Sequence, residues 1–215
     1  PYSYYRVSEA SGYGAGNLVV AAVGSLDHDA VLELVRERFD DPESGAPAPT
    51  VPTPVAATPG ARHFSREGAQ THVVLAGPAP TYGDPRRHAV VLLSQALGGG
   101  MSSRLFQRIR EELGLAYSVY SFHAFHQTAG VLGVYLGTRA GAVREATAAV
   151  RGELEALARE GLPAEELEGA RAQVQGQLTL ALESTGARLH RLAGSALLGE
   201  PLRRRDALLA RYVAV

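Results

Sequence analysis

The stretch SRLFQRIREELGLAY, residues 103–117, decides the fold because it holds a helix, the end of that helix and the start of a strand. Leu105, Ile109 and Leu113 recur every four residues, which is typical of the buried face of a helix. Gly114 follows directly, and a glycine in this place commonly ends a helix in the left-handed conformation. The sequence therefore predicts a helix, a left-handed turn at Gly114 and a strand that begins immediately after it.

Strands are predicted on both sides of this helix. After it, LAYSVYSF (115–122) and GVLGVYLGT (130–138) alternate between apolar and polar residues and read as an antiparallel pair joined by 123–130. Before it, RHFSREG (62–68) and THVVLAGPAP (71–80) read as two strands separated by a glycine turn.

The remaining segments have helical periodicity. Asp84 and Pro85 predict a helix start that leads to an end at Gly98, and 142–160 carries a regular apolar stripe. A further helix starts at Pro163, and shorter ones are predicted around 186–198 and 202–212. Strands and paired helices in this order predict an α+β fold, a two-layer sandwich with helices packed on one face of a mainly antiparallel sheet.

The first forty residues form a separate group of predicted elements. NLVVAAVG (17–24) reads as a buried strand, and 27–39 as a helix with Asp27 as its N-cap. Residues 41–60 then hold six of the twelve prolines among small residues, a composition that favours an extended linker. The chain is therefore predicted to consist of three parts, 1–40, a linker at 41–61, and 62–215.

Composition excludes several classes of function. The 21 basic residues are balanced by 22 acidic ones, which gives no reason to expect a nucleic-acid partner. There is no cysteine, so disulfides, thiol nucleophiles and cysteine metal sites are excluded, and a cytoplasmic location is favoured. The apolar runs are too short to span a bilayer, so no membrane partner is expected.

No metal site is predicted in this chain. Neither H-x-x-E-H nor H-E-x-x-H occurs. His123 and His126 are three residues apart on a predicted strand end, a spacing that points their side chains to opposite faces. The three glycines Gly98, Gly99 and Gly100 lack the lysine of a phosphate loop and follow a helix, so they are interpreted as a flexible helix end and hinge.

Arg110 and Tyr117 lie seven residues apart on either side of Gly114. Arg110 is in the last helical turn and Tyr117 near the strand start, so both could reach the same cleft. The alternative is structural. Arg110 would then complement the helix dipole and pair with a glutamate, while the Tyr117 ring packs against the protein. Spacing alone leaves both possibilities open.

The block LGGGMSSRLFQRIREELGLAYSVYSF (97–122) resembles the signature of the second half of the insulinase, pitrilysin and mitochondrial processing peptidase family. Those proteins are zinc metallopeptidases of the inverzincin type. Residues 17–39 resemble the last strand and helix of the family's first half, and 162–200 the helical part of the second half. The resemblance implies that 1–40 ends the zinc-bearing N-terminal half and 41–61 is the interdomain linker. It also implies that 62–215 is the homologous C-terminal half, without its closing strand and helix.

The resemblance also implies a function. Arg110 and Tyr117 match the family's pair of donors to the substrate carbonyl and oxyanion, and Gly98, Gly99 and Gly100 are assigned to substrate binding or a hinge. Zinc is expected in the N-terminal half or in a homologous partner subunit of a homo- or heterodimer, so this chain alone should be inactive. The expected substrate is a peptide that adds as a strand inside a closed two-half chamber. The alternative is a non-catalytic partner or scaffold subunit.

Overall fold

The structure, a computed structural model, describes residues 18–38 and 57–215. The chain divides into two compact units, one made of residues 1–52 with 178–204 and the other of 53–177 with 205–215. Most of the predicted linker lies outside the described residues, and its last part, 57–61, is exposed and without regular structure. The three-part division predicted from the sequence stays a prediction.

The described residues form six α-helices, a π-helical segment, a short 3₁₀ turn and three strands. In chain order these elements are α1 (His28–Arg38), β1 (Thr71–Ala79), α2 (Arg87–Gly98), the π-helical segment (Phe106–Glu112), β2 (Ala116–Phe125), β3 (Gly130–Thr138), the 3₁₀ turn (Ala140–Ala142), α3 (Val143–Glu160), α4 (Ala164–Ala181), α5 (Thr185–Leu197) and α6 (Arg205–Val213).

The three strands form one antiparallel sheet in the order β1-β3-β2. Along the central strand β3, Val134 and Leu136 face the helices and are almost fully buried. Leu136 pairs with Val119 of β2 on one side and with Val73 of β1 on the other. The alternation that the sequence shows in β2 and β3 therefore gives one apolar face, as predicted.

The opposite face of the sheet carries a row of aromatic side chains. The rings of Tyr120 and Tyr135 stack with centroids 4.8 Å apart. The Tyr135 hydroxyl of β3 lies 2.7 Å from Nδ1 of His72 on the neighbouring strand β1. Tyr120 and Val74 are exposed on this side.

The core lies between the sheet and the helices of the larger unit. It is built from α2, the π-helical segment, α3 and the inner face of the sheet. Its buried members are Leu97, Leu105, Ile109, Leu115, Ala116, Val119, Val134, Leu136, Ala142, Ala146, Val150 and Leu157. Helix α6 joins this layer, and its Tyr212 ring meets the His88 ring of α2 edge-on at 5.2 Å. An α+β fold with helices on one face of an antiparallel sheet is confirmed.

Two of the predicted strands are wrong. Residues 18–24 form no strand, and Leu18, Val19 and Val20 are exposed. Residues 62–67 also form no strand and are exposed throughout. A strand needs a neighbour to satisfy its backbone groups, and neither segment pairs with another described residue. An apolar run or an alternating pattern does not specify that neighbour.

Two predicted helix starts have capping interactions. Asp27 caps α1 as predicted, because its carboxylate accepts a hydrogen bond from the backbone N–H of Ala30 at 2.9 Å. Asp84 accepts one from the backbone N–H of Arg86 at 2.9 Å, but α2 itself begins at Arg87 after one further turn. The hydrogen bonds from Arg86 lower the pKa of the Asp84 carboxyl.

A partly buried ion pair joins Arg104, which lies two residues before the π-helical segment, to Glu166 of α4. Arg104 donates two hydrogen bonds to Glu166, at 2.6 and 2.9 Å. We expect Arg104→Met to lower the free energy of unfolding by roughly 1–2 kcal/mol, because Glu166 then loses its charged donor in a partly desolvated place.

Chemical denaturation of the intact protein measures this loss. The matched control is Arg108→Met. Arg108 pairs with Glu112 at 2.6 Å where both side chains are half exposed, so its loss should change stability by less than about 0.5 kcal/mol. Equal effects of the two variants would contradict the prediction.

Candidate functional site

The helix that leads to the candidate site changes its hydrogen-bond pattern before it ends. Phe106–Glu112 is π-helical, and the N–H of Leu113 donates to the carbonyl oxygen of Arg108, five residues back, at 3.1 Å. A π turn holds more residues than an α turn, so the apolar stripe drifts around the helix. Ile109 is fully buried, but Leu113, predicted on the same face, is 37% exposed. The placement of Leu113 in the core is wrong for this reason.

Gly114 ends the helix as predicted. Its φ is +59°, in the left-handed region that favours glycine. The next residue, Leu115, donates its N–H to the carbonyl oxygen of Ile109 at 2.9 Å, which closes the corner. The chain therefore passes from the π-helical segment into β2 within three residues.

Strand β2 begins with a bulge. Ala116 pairs with Thr138 and Ser118 pairs with Gly137, so Tyr117 is an extra residue with no partner on β3. A bulge redirects the side chain at its position and is often found beside active sites. The Tyr117 side chain is 75% exposed, whereas its neighbour Ala116 is buried.

These irregular elements bring Arg110 and Tyr117 together. The guanidinium carbon of Arg110 lies 5.4 Å from the centre of the Tyr117 ring and 4.7 Å from the centre of the Phe106 ring. The carboxylate nearest to Arg110 is that of Glu111, with an N–O separation of 3.6 Å, longer than a hydrogen bond. Both groups of the pair therefore point outward from one corner of the fold.

The geometry bears on the structural alternative. Tyr117 does not pack its ring into the protein, since three quarters of the side chain is exposed. The contact of Arg110 with Glu111 joins two exposed side chains and therefore contributes little to the stability of the fold. Arg110 does lie in the last turn before the helix end, where a cation is favourable. Its role in catalysis stays a prediction.

The three glycines lie at the other end of the same segment. Gly98 is the last residue of α2 and is buried against the backbone of β2. Gly99 caps the helix and donates its N–H to the carbonyl oxygen of Gln95 at 3.0 Å. The carbonyl oxygen of Gly100 accepts hydrogen bonds from the backbone and the hydroxyl of Ser103. Their assignment to substrate binding or a hinge stays a prediction.

The two histidines lie at the end of β2. His123 lies in β2 opposite Leu132, its ring is 5.1 Å from that of Phe125, and burial lowers its pKa. His126 follows the last residue of β2. Within 18–38 and 57–215, no three His, Asp or Glu side chains are grouped so that they could hold a metal ion. The described residues therefore do not fit a zinc site.

The family of the chain follows from comparison with known proteins. Residues 11–174 match the family model described as the peptidase M16 inactive domain. The chain belongs to this family. An uncharacterized zinc protease of Streptomyces coelicolor is 40% identical to it over 212 residues, which cover 94% of this chain and 46% of the relative. A second uncharacterized zinc protease, from Bacillus subtilis, is 33% identical over a match that covers 86% of this chain and 45% of that relative.

A solved M16 inactive domain from Pseudomonas fluorescens has the same fold. It superimposes with a TM-score of 0.86 at 26% identity, covering 96% of this chain and 49% of the other. The resemblance identified from residues 97–122 is confirmed. The chain spans about half the length of the curated relatives it matches.

Three features of this M16 domain's candidate site escaped the sequence analysis. The π-helical segment and the bulge at Tyr117 leave no mark in the residue pattern. Phe106, the second ring beside Arg110, was identifiable, because residues four apart on a helix are neighbours and Arg110 is four residues after Phe106.

In the part of the chain that the structure describes, no helix has the length and apolar character needed to cross a bilayer.

Proposed function

We propose that this chain is the non-metal half of a zinc-dependent endopeptidase and that it contributes Arg110 and Tyr117 as hydrogen-bond donors to the scissile peptide. The guanidinium and the phenol would donate to the substrate carbonyl oxygen, which becomes an oxyanion during hydrolysis. The observation that carries the proposal is the outward placement of both side chains on one corner, with the guanidinium carbon of Arg110 5.4 Å from the centre of the Tyr117 ring.

The chemistry of the pair suits this task. Arg110 carries a permanent charge and five N–H donors, and Tyr117 adds one O–H. Donors aimed at developing negative charge are typically worth about 2.7–4 kcal/mol each. The backbone at the helix end and the strand start that carry them is anchored by the buried side chains of Ile109 and Ala116.

The metal belongs elsewhere in this proposal. The described residues do not fit zinc, and the relatives that carry the name zinc protease are about twice as long as this chain. The other half, in the same polypeptide or in a homologous subunit, would hold the zinc and close the chamber around a peptide. A peptide added to a sheet edge would be bound through its backbone.

Chelation of the intact protein tests the zinc dependence. We expect cleavage of a flexible fluorogenic peptide to be lost after dialysis against a zinc chelator and to return with one equivalent of zinc per active site. Cleavage rates and zinc content by elemental analysis are the measurements. This chain alone serves as the control and should cleave nothing.

Two results would contradict the proposal. Cleavage that survives complete removal of zinc would show that the enzyme does not depend on this metal. An intact protein that binds peptides but cleaves none of them, with or without zinc, would favour the non-catalytic partner or scaffold.

A further inference from the structure

The guanidinium of Arg110 is held by aromatic rings and not by a carboxylate. Its carbon lies 4.7 Å from the centre of the Phe106 ring and 5.4 Å from the centre of the Tyr117 ring, distances at which a cation is attracted to a ring face. It makes no hydrogen bond to another residue of the described chain, and its contact with Glu111 is 3.6 Å long.

Other arginines near this corner are held differently. Arg104 gives two hydrogen bonds to Glu166, and Arg108 gives one to Glu112 at 2.6 Å. A carboxylate partner occupies N–H donors and competes with any incoming oxygen atom. An aromatic face attracts the cation and leaves its N–H donors available at the edge of the guanidinium plane.

The anchoring of Phe106 differs from that of Tyr117. Phe106 belongs to the π-helical segment and follows Leu105, which is fully buried, as is Ile109 three residues later. The Phe106 side chain is partly buried, whereas Tyr117 is 75% exposed at its bulge. Phe106 is therefore the better-fixed of the two rings.

We propose that Phe106 is a positioning residue for Arg110. Its ring fixes the guanidinium beside Tyr117 while every N–H donor stays available for a peptide carbonyl oxygen. This inference rests on the proposed function. It adds a residue that contacts neither the metal nor the reacting atoms and that instead holds the Arg110 guanidinium in position. An arginine side chain has many rotamers, so restricting it before the substrate arrives lowers the entropy lost in the transition state.

The test uses the intact protein and the fluorogenic peptide. Phe106→Leu keeps an apolar side chain but removes the ring face, and we expect kcat/KM to fall about tenfold, which corresponds to about 1.4 kcal/mol. Most of the fall should be in kcat, because the interaction is made in the transition state. Phe106→Tyr restores the ring and should recover most of the rate. Phe125→Leu, at the far end of β2, is the matched control for the loss of an aromatic ring.

A double-mutant cycle separates positioning from a general structural effect. In an Arg110→Ala background, Phe106→Leu should cause no further loss, since the ring then has no cation to hold. The same tenfold loss in both backgrounds would overturn the inference, as would an unchanged rate for Phe106→Leu in the parent protein.

An NMR measurement keeps the failure of this inference distinct from failure of the proposed function. In protein with isotope-labelled arginine, Phe106→Leu should shift the side-chain Nε–H resonance of Arg110, and that of Arg108 should stay in place. If the resonance shifts but Arg110→Ala cleaves at the parent rate, the proposed function fails and the ring contact stands. If Arg110→Ala loses activity but Phe106→Leu changes neither the resonance nor the rate, the inference fails and the proposed function stands.

Discussion

Replacement of Arg110 by alanine in the intact protein should reduce kcat/KM for peptide cleavage by about a hundred- to a thousandfold. The size follows from the typical value of a single donor that meets an oxyanion. Tyr117→Phe removes only the hydroxyl and keeps the ring near Arg110. We expect its kcat/KM to fall more than tenfold as well, and this fall measures the contribution of the hydroxyl donor alone. Steady-state kinetics on a flexible peptide measure both variants.

The control for this prediction lies on the same segment. Arg108 is two residues from Arg110 and pairs with Glu112 at 2.6 Å, so Arg108→Ala removes an exposed cation without touching the pair. It should cleave at close to the parent rate. Since Arg110 and Tyr117 are both exposed, their variants should also keep the parent melting temperature. Parent-like turnover in both Arg110→Ala and Tyr117→Phe would remove them from the site.

Gly98→Ala should be the most damaging of the conservative changes to stability in this region. A Cβ at Gly98 would lie 2.4 Å from the backbone nitrogen of Ser121 and 3.0 Å from the backbone carbon of Tyr120. The atoms that would have to move belong to the backbone of β2, so the clash cannot be relieved by a rotamer change. We expect a loss of about 1–3 kcal/mol or more, measured by thermal or denaturant unfolding.

The neighbouring glycine supplies the contrast. The three atoms nearest to a Cβ at Gly99 all belong to the side-chain amide of Gln95, which is the end of a flexible side chain, so Gly99→Ala should cost much less stability than Gly98→Ala. Displacement of β2 by Gly98→Ala should also lower peptide cleavage, because Tyr117 belongs to the same strand. Equal stability of the two variants would show that α2 and β2 do not approach as closely as described.

Local patterns predicted the core of the site region well. The four-residue spacing of Leu105 and Ile109 identified two fully buried side chains, and Gly114 was correctly placed in the left-handed region. The alternation in 115–122 and 130–138 gave the paired strands β2 and β3. In each case the deciding interactions lie within one element or between consecutive ones, so a short window of sequence contains them.

The features that were predicted wrongly or missed are ones that a short window of sequence does not determine. The apolar run at 18–24 and the alternating run at 62–67 look like strands, but a strand also needs a partner that the pattern does not name. The π-helical segment covers under two turns, too short for its residue period to differ visibly from that of an α-helix. The bulge at Tyr117 depends on the register between β2 and β3, which is a tertiary property.

The corner around Gly114 places a length constraint on related sequences. The π-helical segment and the bulge each carry one residue more than a regular helix or strand would, one on each side of the glycine. A deletion between 106 and 118 would convert one of them to regular geometry and rotate Arg110 or Tyr117 away from the other, whereas an insertion would add a further irregularity. Most corners between a helix and a strand tolerate such changes. If Arg110 and Tyr117 act together on the substrate as proposed, a deletion in this short window of another M16 domain should separate the pair, even where both residues are present.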